Sequence, residues 1–344
     1  MSRRHGYKES VIRMSVTKKE IAEYLGVSRS AVSLVLNNAP GSTISEKTRQ
    51  RILQAARELG YDGADVTPKL CFILYGRAPD DPRYMYDLAT IEQAASRHHF
   101  SLLFMNVQAD AEGLEKMRKA VLSKEAEGYF VTGDLDDKAI DLITEAKVPY
   151  LFYGGIPREG TNSIVMDHEK GAYESVKHLL SFGHKQIAFF SGSLNIPIHQ
   201  KNLNGYYRAL EEAGIPVDKS LVQASSGEDG YELCARMSVL DIGYTAVFAV
   251  NTVIQFGALQ WLKEHGVQVP GEVSLVGYGF SELAKLSKPP LTTFYVAPAS
   301  RELAVNRMIE MIRRKDLEPQ VTYLTEMECF PGQTVAANTA NTKL

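Results

Sequence analysis

Two patterns of hydrophobic and polar residues divide the chain near residue 61. Before this point, apolar residues recur every three or four positions in three short stretches, which predicts three short α-helices. After residue 69, short apolar runs such as LCFILY, SLLFMN and SLVGYG alternate with longer stretches of helical periodicity. This alternation predicts parallel β-strands joined by helices that cover both faces of a sheet.

Each of the first three predicted helices follows a capping residue. Thr17 can cap the first helix, with Glu20 three residues later as its capping-box partner. Gly26 permits a tight turn, after which Ser28 can cap the second helix and Ser45 the third. A helix, a glycine turn and a second helix form the helix-turn-helix arrangement, in which the second helix enters the major groove of DNA.

Charge is distributed unevenly between the two parts of the chain. The formal net charge is -3, yet residues 1–61 hold eleven Lys or Arg and only five Asp or Glu. The remaining residues hold 27 basic and 36 acidic side chains. A basic amino-terminal part on an acidic body is the asymmetry expected when only the amino-terminal part meets the phosphates of a nucleic acid.

Other patterns argue against several classes of protein. No window approaches the ~18–20 consecutive apolar residues that a membrane-spanning helix needs, and the amino terminus has no apolar signal-peptide segment, so we expect a cytoplasmic protein. The widely spaced Cys71, Cys234 and Cys329 favour reduced, buried thiols. The sequence lacks the GxxxxGK[ST], HExxH and GxSxG motifs. We therefore expect that the chain is not an enzyme and that it binds no cofactor and no metal ion.

The chain resembles the lactose-repressor (LacI/GalR) family of bacterial transcription regulators. In the amino-terminal part the resemblance is carried by VTKKEIAEYLGVSRSAVSLVLNN and ISEKTRQRILQAARELGY. In the body it is carried by EGYFVTG, GYYRALEEAGI, TAVFAVN and VPGEVSLVGYG. The resemblance implies a sequence-specific regulator, expected to be a repressor, that binds a near-palindromic DNA operator as a homodimer.

The resemblance also implies the fold and its boundaries. We expect a small all-α helix-turn-helix headpiece over residues 1–61, in which residues 1–14 form a phosphate-binding arm or a disordered tail, and a short linker over residues 62–69. The body is expected to be an α/β domain like the periplasmic binding proteins, with two lobes that are each a parallel sheet flanked by helices. We assign residues 70–160 and 293–325 to lobe 1, and residues 161–292 and 326–344 to lobe 2.

For DNA recognition, the resemblance implies base contacts from the second helix of the headpiece. The base-reading positions correspond to Arg29, Ser30 and Leu34. Arg29 can donate two hydrogen bonds to guanine and Leu34 can contact a thymine methyl, although Leu34 could equally face the core. The phosphate-binding positions correspond to Thr17, Ser28, Ser33, Asn37 and Thr48.

The cleft between the lobes is the expected site of a small-molecule effector. The resemblance places Tyr84, Asn202, Phe248 and Asn251 there, although the two aromatic residues could instead be core. At three positions where the family carries a charge this chain has a neutral residue, namely Asn202, Thr252 and Gly279. Because ionised side chains make the strong hydrogen bonds that hold polyols, an ordinary sugar is not expected. Two interpretations stay open: an effector of different polarity, or a regulator without an effector or controlled by a protein partner, whose body serves mainly to dimerise.

Overall fold

The computed structural model describes residues 16–36, 44–61, 67–155, 157–314 and 317–338. The chain forms two compact units, Met1–Pro68 and Lys69–Leu344. The first unit contains the predicted headpiece, and the second is the predicted body. The predicted arm, residues 1–14, and residues 62–66 of the predicted linker lie outside the described residues.

The described part of the headpiece contains the three predicted helices: α1 (Lys18–Leu25), α2 (Arg29–Leu36) and α3 (Glu46–Leu59). The capping box of α1 is formed as predicted. The Thr17 hydroxyl accepts a hydrogen bond from the Glu20 N–H at 3.3 Å, and the Glu20 carboxylate accepts one from the Thr17 N–H at 2.6 Å. Gly26 ends α1 at φ 67°, a left-handed conformation that costs least without a Cβ. The small core takes side chains from all three helices, including Ile21, Val32 and Ile52.

Lobe 1 of the body is built on a six-stranded sheet in the order β11-β5-β4-β3-β1-β2, in which every neighbouring pair is parallel. Its strands are β1 (Lys69–Tyr75), β2 (Ser101–Val107), β3 (Gly128–Gly133), β4 (Tyr150–Tyr153), β5 (Ser163–Met166) and β11 (Val321–Leu324). One face packs against α4 (Pro82–Arg97) and α12 (Pro298–Arg313), and the other against α5 (Ala111–Leu122) and α6 (Asp137–Glu145).

Lobe 2 is built on a second six-stranded sheet, in the order β12-β10-β9-β8-β6-β7. Its strands are β6 (Ile187–Ser191), β7 (Val222–Ala224), β8 (Ala246–Ala249), β9 (Ser274–Tyr278), β10 (Thr292–Val296) and β12 (Met327–Phe330), and only β12 is antiparallel to its neighbour. The helices are α7 (His168–Ser181), α8 (Pro197–Glu212), α9 (Gly230–Val239), α10 (Thr252–Glu264) and the short α11 (Glu282–Leu286). Among the described helices, none is both long and apolar enough to cross a membrane.

The predicted lobe boundaries are wrong at two strands. The predicted boundaries assigned β5 to lobe 2, within residues 161–292. In the structure β5 pairs with β4 and β11 in the sheet of lobe 1. The predicted boundaries assigned most of β10 to lobe 1, within residues 293–325. In the structure β10 pairs with β9 and β12 in the sheet of lobe 2. The chain therefore crosses between the lobes after Met166, after Val296 and after Leu324. The apolar pattern of a strand shows that it is buried in a parallel sheet, but not which of two such sheets it joins.

The cysteines differ in their surroundings. Cys71 and Cys234 are buried as expected, and burial raises the pKa of each thiol to about 12. Cys329 is exposed, contrary to the expectation of three buried thiols. It lies on β12, which is at the edge of the lobe 2 sheet and has its middle residues exposed.

Helices α7 and α8 cross closely at Gly205. A Cβ at this position would lie 2.1 Å from the carbonyl oxygen of Glu169 and 2.9 Å from the Cβ of Ala172. Such distances leave no room for a side chain, so the glycine sets the separation of the two helices. Since α8 also carries buried polar residues of the cleft, this crossing fixes where they lie.

We expect Gly205→Ala to lower the free energy of unfolding of the body by about 1–3 kcal/mol, because an added methyl forces a close-packed contact apart. Gly243→Ala is the matched control, since no atom lies within 4 Å of its Cβ position and its φ is not left-handed. Urea titration of both variants measures the two effects. An unchanged free energy for Gly205→Ala would contradict the close crossing.

Candidate DNA-binding and effector sites

The start of α2 presents polar side chains to the solvent. Ser28, Arg29 and Ser30 are all exposed. Ser28 caps the helix as predicted: its Oγ accepts a hydrogen bond from the Ala31 N–H at 3.1 Å and lies 3.0 Å from the Ser30 Oγ. The amino end of α2 therefore offers two hydroxyl groups and one guanidinium group on an accessible surface.

Leu34 lies on the exposed side of α2, with 42% of its surface accessible. The next two residues, Val35 and Leu36, are buried in the headpiece core. Leu34 thus faces solvent and not the core, which resolves the alternative left open by the sequence. An exposed leucine on the helix that carries Arg29 is available for contact with a thymine methyl.

The structure describes four of the five predicted phosphate-binding residues. Thr17 and Ser28 are exposed at the starts of α1 and α2, and Thr48 is half-buried in the first turn of α3. Ser33 is half-buried within α2, and Asn37 lies outside the described residues. Helix starts suit phosphate, because their N–H groups and the helix dipole favour an anion.

In the body, the loops and first helical turns that follow the strands bring charged residues of the two lobes together. Arg83, which follows β1 in lobe 1, donates from Nε to the Asp81 carboxylate at 2.8 Å and also pairs with Glu228, which follows β7 in lobe 2. The Glu228 carboxylate accepts a hydrogen bond from His199 Nε2 at 3.1 Å. We call Asp81, Arg83, His199 and Glu228 the interlobe network. It lies at the carboxyl ends of parallel strands, which is where α/β proteins bind ligands.

Several side chains in or near the interlobe network carry a buried polar atom that has no hydrogen-bond partner within the described part of the chain. Ser191, His199 and Asn202 are only 0%, 5% and 1% exposed. A buried polar atom without a partner costs roughly 1–3 kcal/mol, so several of them close together need an explanation. They include Ser191 Oγ, His199 Nδ1, Asn202 Oδ1, His168 Nδ1 and Arg77 Nε, besides Glu228 Oε2, which forms the ion pair with Arg83.

Burial lowers the pKa of both histidines of this region, which favours the neutral imidazole. Burial, helped by the nearby His168, Arg83 and Arg77, lowers the pKa of His199 to about 4. Burial also lowers the pKa of His168, whose Nε2 lies 3.2 Å from the carbonyl oxygen of Gly154. Each ring therefore carries its proton on Nε2, which faces an oxygen that can only accept.

Comparison with known proteins agrees with this architecture. Residues 17–63 match the family described as "Bacterial regulatory proteins, lacI family", and residues 176–335 match "Periplasmic binding protein-like domain". The HTH-type transcriptional regulator DegA of Bacillus subtilis (strain 168) is 32% identical over 86% of this chain and 90% of its own length. This chain belongs to the lacI family of bacterial regulatory proteins. It is therefore a DNA-binding transcription regulator, and the predicted fold class is confirmed.

Two further similarities extend over most of this lacI-family protein. The HTH-type transcriptional repressor PurR of Haemophilus influenzae (strain PittEE) is 28% identical over 87% of this chain and 92% of its own length. A crystal structure described as the lac repressor dimer bound to operator and the anti-inducer ONPF is 25% identical, with a TM-score of 0.65 over 94% of this chain and 100% of that chain. Both proteins are described as repressors.

The predicted effector residues of the lacI-family protein have different surroundings. Tyr84 is half-buried near Arg77 and Arg83, and burial raises its pKa. Asn202 lies with the unpartnered polar atoms described above. The side-chain oxygen of Asn251 caps α10, accepting hydrogen bonds from two backbone N–H groups at 3.0 and 2.9 Å.

The position of Phe248 corrects the prediction that this residue belongs to the effector site. Its side chain has no exposed surface and lies in the core of lobe 2, where its ring is 5.8 Å from that of Phe189. Strand β8 is central in its sheet, so its side chains are covered by helices. The core interpretation of Phe248 is the one that the structure supports.

Sequence analysis assigns no residue of the interlobe network to a site. Arg83, His199 and Glu228 come from three separate segments, and no local motif connects them. Only a general signal was available, because each follows a predicted strand or begins the next helix, where sites of α/β domains lie.

We expect Glu228→Gln to lower the free energy of unfolding of the body by about 1–3 kcal/mol, since hydrogen bonds to charged groups contribute about that much. Glu115→Gln is the matched control, because the exposed Glu115 carboxylate pairs with Arg118 and Lys119 of its own helix, and a surface ion pair contributes about 0–1 kcal/mol. Urea titration of both variants provides the measurement. Equal losses would contradict a special contribution from the interlobe network.

Proposed function

We propose that this lacI-family protein is a transcription repressor of the bacterial cytoplasm that binds a near-palindromic operator as a homodimer, under control of a small-molecule effector in the interlobe cleft. The observation that carries the proposal is the amino end of α2. There Arg29, Ser30 and Leu34 are exposed on a helix whose other side is buried in the headpiece core. Repression is the activity in the name of the relative PurR.

Each exposed residue of α2 has a distinct role in this proposal. The Arg29 guanidinium donates two hydrogen bonds to one guanine, which discriminates against another base by about 1–3 kcal/mol. Ser30 bonds to a neighbouring base edge, and Leu34 contacts a thymine methyl. Contacts with phosphates hold the headpiece in register without reading sequence, and they come from Thr17, Ser28, Ser33, Asn37 and Thr48.

The dimer and the effector follow from the same proposal. Two headpieces related by a two-fold axis reach successive major grooves, which requires a near-palindromic operator. An effector changes the DNA affinity only if it binds the two conformations of the body unequally. Buried polar atoms without partners beside the interlobe network support an effector over a body that serves only to dimerise, because a ligand would satisfy them.

We expect Arg29→Ala to lose discrimination at a single base pair, by roughly 5–150-fold, while affinity for random DNA changes little. Thr48→Ala is the control: removing a phosphate contact weakens binding to every sequence alike. The operator is first selected from a random DNA library. Fluorescence anisotropy then measures each variant against single-base substitutions of it.

If Arg29→Ala weakened binding to every duplex equally, Arg29 would be a phosphate contact and not a base reader. If the unmodified protein preferred no duplex over random competitor, the repressor proposal itself would fail.

Sedimentation equilibrium tests the dimer. We expect a mass of twice the 38.1 kDa chain at micromolar concentration, with or without DNA. A monomer in solution that also bound a single half-site as tightly as the whole operator would contradict the two-fold arrangement.

A further inference from the structure

Two hydroxyl groups at the amino end of α2 share a hydrogen bond. The Oγ atoms of Ser28 and Ser30 lie 3.0 Å apart, a distance at which one hydroxyl donates to the other. Ser28 Oγ also accepts a hydrogen bond from the Ala31 N–H at 3.1 Å. Both serines are exposed, so each can still meet a group of the DNA. The direction of the shared proton therefore decides what each serine offers to DNA.

A contact between Ser28 and a phosphate fixes that direction. A hydroxyl has one proton to donate and two lone pairs that accept. If Ser28 donated to Ser30, its only proton would be used within the protein, and it could not donate to a phosphate oxygen. If Ser30 donates to Ser28, the two lone pairs of Ser28 accept from Ser30 and from the Ala31 N–H. The Ser28 proton is then available to the phosphate.

The rest of α2 offers the Ser30 proton no carboxylate. The helix has the sequence RSAVSLVL, which contains neither Asp nor Glu, and no acidic residue lies in its first turn. The neighbouring Arg29 has a guanidinium group, which only donates. The Ser30 proton is therefore directed to Ser28 by the helix cap itself.

With its proton directed to Ser28, the Ser30 hydroxyl presents only lone pairs to the major groove. The donors in that groove are the exocyclic amino groups of adenine and cytosine, N6 and N4. Guanine O6 and N7 and thymine O4 are acceptors, so they would set lone pairs against lone pairs. Ser30 is in this way complementary to Arg29, which can only donate and so bonds to the acceptors of guanine.

We propose that Ser28 orients Ser30 to accept a hydrogen bond from the exocyclic amino group of an adenine or a cytosine. Ser30 is then a specificity-determining residue that rejects a carbonyl oxygen at this point of the groove, and Ser28 is its positioning residue. This inference rests on the proposed function, in which Ser28 contacts a phosphate and Ser30 a base edge, and it specifies the chemistry of the base.

Deletion of single groups from the DNA tests which atom Ser30 contacts. The operator is selected with the full-length protein, and single-base substitutions locate the base pair at which Ser30→Ala loses discrimination. Purine in place of adenine, or 2-pyrimidinone in place of cytosine, then removes the amino group from that base pair. A deaza analogue that lacks N7 of the purine is the matched control. Fluorescence anisotropy measures the affinity of both proteins for each duplex.

Removing the amino group should weaken binding of the unmodified protein by about 2–12-fold more than binding of Ser30→Ala, the range for one hydrogen bond between neutral groups. Comparing the two proteins cancels the weakening of the base pair itself. Removing N7 should weaken both proteins alike. Equal losses on removal of the amino group would overturn the inference, as would the finding that no base pair depends on Ser30.

The positioning role of Ser28 is tested with a transition, which places a carbonyl oxygen where the amino group was. The unmodified protein should reject this change. In Ser28→Gly the Ser30 proton is free to turn to the new carbonyl oxygen, so discrimination against the transition should fall by roughly 2–12-fold. Ser28→Thr keeps the hydroxyl and should restore discrimination. Unchanged discrimination in Ser28→Gly would overturn the positioning role.

Ser45→Gly is the matched control for the loss of a helix cap. Ser45 Oγ accepts from the Thr48 N–H at 3.3 Å and lies 2.9 Å from Thr48 Oγ1, which is the arrangement of Ser28 repeated at the start of α3. Glycine at either cap position should cost the headpiece only a few tenths of a kcal/mol. Ser45→Gly should therefore leave discrimination against the transition as it is in the unmodified protein.

The same measurements separate this inference from the proposed function. An operator whose recognition depends on Arg29 but on no group of Ser30 would overturn the inference and leave the repressor proposal standing. Failure of the unmodified protein to select any operator would instead remove the repressor proposal.

Discussion

Burying the Glu228 carboxylate between two lobes obliges the protein to supply a cation from the opposite side. Arg83 meets this requirement from lobe 1 and shares its charge with Asp81, while His199 of lobe 2 donates to the same carboxylate. A second arginine, which is buried, acts at the chain crossings: Arg301 of α12 donates to Asp87 of α4 at 2.8 Å and to the Val296 carbonyl oxygen at the end of β10. The two lobes are thus joined by charged hydrogen bonds at the cleft as well as at the connections.

Aromatic packing completes the contact between the lobes. Tyr86 of α4 lies 4.7 Å from the ring of Phe280 in lobe 2 and 6.1 Å from that of Tyr295, and the Arg301 guanidinium lies over its face. Ring pairs at these distances add about 0.5–1.5 kcal/mol each beyond the area that they bury. Apolar and ionic contacts therefore stabilise the same relative position of the lobes.

Sequence patterns predicted what local interactions determine. The three headpiece helices follow from caps within a few residues of each start, and the main strands of the body follow from apolar runs. The sheet to which β5 and β10 belong depends on pairing between distant segments, so it was predicted wrongly, and the short elements β11, β12 and α11 gave too little pattern to be recognised. The same reason applies to the cleft, because Arg83, His199 and Glu228 meet only after folding. Two alternatives that the sequence left open depend on burial: Leu34 of the headpiece is exposed, and Phe248 of lobe 2 lies in the core.

The three chain crossings have a consequence for how the body comes apart. Because β5, β10 and β11 each end at a crossing, neither lobe is a continuous stretch of chain. Proteolytic cleavage at any one crossing would leave two covalent connections between the lobes. A fragment that stops after β5 would lack β11, the partner of β5 at the edge of its own sheet, and would expose an unpaired strand prone to aggregation. The lobes of this regulator are consequently units of architecture, and the smallest segment that can fold as a whole is the entire body.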